Sequence, residues 1–472
     1  MLSALHAMPF LSKIATYECS LSNTLFKMLL CSFTLYAKFY MPFLRNKITT
    51  CFIVLAASCL PLKGQCFSIL AHEAIIDAEW DITLKPLLLK KHPTATLDDL
   101  IKAHAYTYGG SLVADMGYMP GGDGYFTDLL HYVRSGDFII NLLSEANSLN
   151  EYAFALGALS HYMADKYGHS MATNVTVPEL YPKLKTKFGK VVTYENDHTS
   201  HSRMEFAYDA VQVGRSNYAS VAYHDFIGFN IAKPVLERAF FKTYAQHLEV
   251  IFKNFDASVS TMRWGVKNLF PALTKKAWKA KKAEIVKANG NATVRGFKYK
   301  MSRRMYNKEF VGKRNKPDLK ARAAAFLVKI LPKVGPLRNL KFVYPGAEGE
   351  KRFTHVFDTI IQKYALASKQ WDAQSLRLVD INLDTGYPLA YGKYHLADDT
   401  YCKLVLNLQM EGFACLTPAL QEHLVKYFEG ALLHETYKEH PEEEAGMQLA
   451  LQQMRQYKPV EDVSIIVNVY KQ

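Results

Sequence analysis

An all-α fold is predicted for this 472-residue chain by three features. Apolar residues recur at helical spacing along most of its length, and in the segment GALSHYMADKYGHS the polar residues His161, Asp165 and His169 repeat every four positions. No hairpin signature and no alternating strand series of any length precedes the C-terminal tail.

Residues 1–66 read as a leader and are set aside, with Met8, Met28 and Met41 all available as starts and Met41 the favoured one. Arg45 and Lys47 supply a positive region, and Thr49 to Leu60 an apolar run of twelve residues, too short to span a bilayer. Gly64 and Cys66 are small residues at the third and first positions before a cut that would leave Phe67 as the new N-terminus. The expectation is an exported protein: periplasmic, secreted or on the outer surface. A rival reading lipidates Cys59, which follows Ala56, Ala57 and Ser58.

The first helix expected beyond the leader region spans Thr94 to His104, with Thr96 and Asp98 as capping residues. Glycines 117, 121, 122 and 124, together with Pro120, make the stretch from Asp115 to Asp128 a loop. Asn150 precedes a long helix on which Tyr152, Ala155, Leu156, Leu159 and Met163 face a core. Val221 to Phe255, broken near Pro234, and Ser258 to Phe270 read as further helices. Ala323 to Leu331 reads as a short core helix, Asp380 to Asp399 as a loop, and Glu442 to Glu444 as a polar turn. Two boundaries follow, giving a domain over 67–266 and a mainly helical region over 267–472. Cys402 and Cys415, which lie beyond the leader, form either one disulfide or two buried thiols.

Positions i, i+4 and i+8 of a helix fall within an arc of roughly 80°, so His161, Asp165 and His169 project from one face. His201 and Glu205 repeat the one-turn spacing downstream, and His72, Asp115 and His131 lie upstream. Histidine and carboxylate donors without cysteine favour zinc held by nitrogen and oxygen. A shift of three residues would offer His198 in place of His201, but only His201 has a carboxylate one turn on. Glu73 points about 100° away from His72 and is not expected to share its metal. His104, His224 and Asp225 are candidates to support the ligands, whereas Asp384 and His395 have no recognisable spacing and no assigned role.

This order of donors resembles the zinc-dependent phospholipase C superfamily, most closely its phospholipase C/D-like branch, over about Phe67 to Asp225. The resemblance implies up to three zinc ions. One would be held by Asp115, His131, His161 and Asp165. A second, bridged by Asp165, would take His72 and the amine and carbonyl of Phe67. A third would take His169, His201 and Glu205. It further implies hydrolysis of a phospholipid or related phosphodiester by a zinc-activated water, with Asp115, Asp165 and Glu205 as the catalytic carboxylates. Two other functions fit the same donors: a zinc single-strand nuclease or nucleotidase, and a non-catalytic metal-binding protein of the same fold.

Between Lys267 and Arg322 stand 18 Lys and Arg against 3 Asp and Glu, a local excess larger than the whole-chain net charge of +13. Interleaved with Trp278, Phe297, Tyr299 and Tyr306, this stretch fits either a solvated helical surface or a face for anionic lipid headgroups or nucleic-acid phosphates. Neither a Walker loop nor a dinucleotide fingerprint is present. The oligomeric state is not legible.

Overall fold

A computed structural model describes residues 68–119, 121–288, 343–438 and 441–460. Among these residues every regular element is helical. The leader, Phe67, the basic residues beyond 288 and the run Ala323 to Leu331 lie outside them. No described helix is long and apolar enough to cross a membrane.

Helix α1 spans Ile69–Glu79 and continues into a π-helical turn over Trp80–Leu84. Helix α2 spans Leu97–Leu112. Its cap is the expected Thr96, whose hydroxyl accepts from Asp99 N at 3.2 Å while the Asp99 carboxylate accepts from Thr96 N at 3.0 Å. Asp98 sits in the first turn, where a negative charge opposes the helix dipole. The glycine-rich loop is shorter than expected. A 3-10 turn, Val113–Tyr118, carries Asp115, and helix α3 already begins at Gly124 and runs to Tyr132.

Helix α4, Leu149–Gly168, is capped by Ser148 rather than Asn150: the Ser148 hydroxyl accepts from Glu151 N at 3.3 Å, and Glu151 accepts from Asn147 N in return. Helix α4 crosses α2 at backbone contact. A Cβ added to Gly157 would sit 2.1 Å from the Thr107 carbonyl oxygen, and one on Gly110 would sit 1.9 Å from that of Phe154. Only glycines permit this approach.

Helix α5 spans His198–Gly214 behind the cap Asp197. The stretch 221–255 is three helices, Val221–Ile227, Lys233–Tyr244 and Leu248–Ile251. The expected break falls at residues 228–232, and Pro234 occupies the first turn of the middle helix, where its missing N–H has no partner to lose. Phe255–Trp264 continues through a π turn into helix α6, Phe270–Ala288.

Further on lie α7, Gly346–Asp372, and α8, His395–Met410; the loop expected over Asp380 to Asp399 ends at Tyr394, and its last residues form the first turn of α8. Glu442 to Glu444 form the first turn of a helix, Pro441–Gln456, rather than a polar turn, because three carboxylates there favour the helix dipole. Cys402 and Cys415 are both buried free thiols. A single hydrophobic cluster extends from Ala71 to Met454, so residues on both sides of 266 share it. In its centre the Tyr364 hydroxyl of α7 donates to Leu156 O of α4 at 2.8 Å.

Candidate zinc centre

The close crossing of α2 and α4 fixes the first ligand. One turn beyond Gly157, His161 lies with Nδ1 2.9 Å from Ser111 O. A carbonyl only accepts, so Nδ1 carries the proton and Nε2 is left for a metal. His131, near the end of α3, repeats the pattern with Nδ1 2.8 Å from Thr127 O. Both Nε2 atoms converge on Asp165 Oδ2, at 3.2 Å from His131 and 3.1 Å from His161. Asp115 Oδ1 stands 3.7 Å from His131 Nε2, completing the group.

The other oxygen of Asp165 faces a different pair. Oδ1 lies 3.4 Å from His72 Nε2 of α1 and 3.6 Å from His169 Nε2. His169 opens a π-helical turn, His169–Thr173, at the end of α4. On α5, His201 Nε2 is 2.8 Å from Glu205 Oε1, and His169 Nε2 is 3.6 Å from the same oxygen. Three donor groups result, each with its ligand atoms within 4.8 Å of one another: His72, His161 and Asp165; Asp115, His131 and His161; His169, His201 and Glu205.

All eight side chains named from the sequence therefore meet, with Asp165 at the hub. Phe67 lies outside the described residues. Its neighbour Ser68 docks beside the site, donating to Glu205 O at 3.1 Å, while Asp209 accepts from Leu70 N at 2.9 Å.

The donor set fits a metal. None of the eight is more than 5% exposed. Both oxygens of Asp115, both of Asp165 and Oε1 of Glu205 are buried without a hydrogen bond, an arrangement that destabilises a protein by several kcal/mol unless a cation compensates. Nitrogen and oxygen ligands in groups of three, with no cysteine, suit zinc.

Electrostatics within the site follow from burial opposed by close charge. Burial raises the Asp165 carboxyl, but His161 and His169 outweigh it and hold that group well below the usual carboxylate range. Burial lowers His161, yet Asp165 and Asp115 push it up to about 9. His169 is likewise raised against burial, chiefly by Asp165. Burial lowers His72 and raises Asp115 and Glu205.

A pH dependence follows for the metal-free protein. With its folded value near 9 against 6.5 unfolded, His161 contributes stability that is complete below about pH 6.5 and is lost as pH rises through 9, on the order of 3 kcal/mol. Denaturant titrations of chelated protein at pH 6 and pH 9.5 are expected to show that loss. A flat profile would mean that His161 carries no proton there.

Other residues fall outside this shell. Glu73 turns away from His72, as its angle requires, and lies 3.1 Å from His224 Nδ1. His224 and His104 also bracket Asp77, at 3.2 and 3.3 Å, so these two histidines support the next turn of α1. Asp225 pairs with Lys267 at 3.6 Å. His198 is exposed at the start of α5 and stacks on Tyr194, which leaves His201 as the inward donor.

One residue at the site had no assigned role: Asp384, from the loop before α8, whose Oδ1 lies 3.2 Å from His169 Nδ1. Burial raises its carboxyl, but His169 and His201 outweigh that and lower it. The only local signal was an Asn382-x-Asp384-x-Gly386 turn, with nothing to say where it docks.

Clustered histidines and carboxylates around a central aspartate fit a zinc hydrolase. A family model described as zinc-dependent phospholipase C matches residues 72–254, which supports the resemblance read from the order of donors. Comparison with curated proteins and with solved structures gave no match.

Proposed function

We propose that this protein is an exported zinc phosphodiesterase of the phospholipase C/D-like type that hydrolyses the headgroup bond of a phospholipid. The observation that carries the reading is the Asp165 carboxylate, with one oxygen turned to His131 and His161 and the other to His72 and His169. Bound zinc would lower the pKa of a water towards ~7 and neutralise phosphate charge. The protein's part is to hold its donors rigidly: carbonyl oxygens orient His131 and His161, and Asp115, Asp165 and Glu205 supply the negative charge that retains the ions.

A panel of phosphatidylcholine, phosphatidylinositol, glycosylphosphatidylinositol, single-stranded nucleic acid and a soluble chromogenic diester, with and without chelator, tests the reading. Chelator-sensitive cleavage of a phospholipid headgroup with little nuclease activity is expected. Robust single-strand cleavage would move the protein to the nuclease reading instead.

Lys275, Lys279 and Lys282 are exposed along α6 and give a second contribution, attraction to an anionic membrane surface. Neutralising all three is expected to reduce action on anionic vesicles by roughly tenfold, at about 1 kcal/mol per charge diminished by salt, while sparing the soluble diester. Equal loss on both substrates would assign the lysines to the fold.

The placement of Ser68 beside Glu205 supports a processed N-terminus at Phe67, whose amine and carbonyl would join His72. Mass spectrometry of exported protein is expected to find that start, and one extra residue there should weaken zinc binding. A lipid-bearing Cys59 terminus would contradict it.

A further inference from the structure

We infer that Asp384, contributed by the chain 130 residues beyond the end of the family match, is the positioning residue of the third zinc group, fixing His169 so that its Nε2 faces Glu205, with its charge also 3.9 Å from His201 Nδ1. The inference rests on the metal-holding part of the proposed function and concerns a residue outside the matched segment.

The geometry is two-sided. Glu205 Oε1 lies on the Nε2 side of both rings, at 2.8 Å from His201 and 3.6 Å from His169. Asp384 Oδ1 lies on the Nδ1 side of both, at 3.2 Å from His169 and 3.9 Å from His201. The Asp384 oxygen at hydrogen-bond distance accepts from His169 Nδ1, which leaves the lone pair of that ring on Nε2. His169 Nδ1 is also 3.1 Å from His201 Nε2, a contact that a metal on His201 Nε2 would release in favour of Asp384. His131 and His161 obtain the same orientation from neutral carbonyls at 2.8 and 2.9 Å, whereas His169 has a carboxylate at 3.2 Å behind its imidazole. Such a partner raises ligand basicity as well as fixing the ring.

Asp384 is itself held from several directions. Its Oδ2 accepts from Tyr194 N at 2.9 Å and from the Tyr394 hydroxyl at 2.8 Å. Asn174 Nδ2 donates to its carbonyl at 2.8 Å and approaches Oδ1 at 3.2 Å. Asn382 Oδ1 accepts from Asp384 N at 2.8 Å, closing the turn. At Gly386, φ is +78° and an added Cβ would lie 2.8 Å from Lys166 O, so the turn is seated on the end of α4 just before His169.

The test reads metal, not turnover. Zinc affinity is measured by competition with a chromogenic chelator, alongside the visible spectrum of the cobalt-substituted protein, for wild type, Asp384→Asn, Asp384→Glu and Asn382→Ala. Asp384→Asn is expected to weaken one zinc by ~10- to 100-fold, leave the others unchanged and alter the cobalt spectrum, with Asp384→Glu recovering part of the affinity. Asn382→Ala, which loosens the turn but keeps the carboxylate, should weaken the same zinc by a smaller factor and serves if Asp384→Asn does not fold. Wild-type affinities and spectra in whichever of Asp384→Asn and Asn382→Ala fold would overturn the inference. A wild-type protein that binds zinc yet cleaves no phosphodiester would defeat the proposed function and leave this assignment standing.

Discussion

Replacing Asp165 by Asn is expected to remove more than one equivalent of bound zinc and to lower phosphodiester hydrolysis by at least ~10³-fold, about 4 kcal/mol of barrier. The reason is the position of the side chain. Its two oxygens face separate imidazole pairs, His131 with His161 and His72 with His169. An amide keeps the shape but loses the charge, and its NH₂ group would point at nitrogens that must offer lone pairs. Elemental analysis of protein purified without chelator and with added zinc decides the matter. Wild-type zinc content in the variant would remove Asp165 from the hub.

The second large effect is expected far from any ligand atom. Gly157→Ala places a methyl group 2.1 Å from Thr107 O, and because the obstacle is backbone, no rotamer change relieves it. Helices α2 and α4 must separate, at on the order of 3 kcal/mol or more. His161 then moves away from Ser111 O, so zinc affinity should fall together with the unfolding midpoint. An exposed control, Gly446→Ala, meets nothing within 4 Å and should be neutral or slightly stabilising, as alanine favours a helix interior. Equal midpoints for wild type and Gly157→Ala would show that the crossing is softer than its geometry.

The contrast between these sites explains what could be read in advance. His161, Asp165 and His169 were legible because a helix turns local spacing into a shared face, and His201 with Glu205 for the same reason. Asp115 and His131 have no such rhythm between them; resemblance to a known family singled them out. Asn150, expected to precede the long helix, lies inside its first turn, because Ser148 caps it and Glu151 reaches back to Asn147 N. The break near Pro234 was legible because a proline cannot continue a helix but is at home in the first turn of the next. Asp384 was invisible for a deeper reason: 215 residues separate it from His169, and a turn carries no period that points to its partner.

The burial of the centre also changes what a chelator measures. With every donor at most 5% exposed, an ion can leave only when the protein opens around it, and a competing ligand cannot pull it out directly. The rate of zinc loss then reports how often the elements around the donors part, not how tightly the ion is held. Above a modest chelator concentration that rate becomes independent of chelator, which makes slow metal loss a clock for the same opening that any substrate would need to enter.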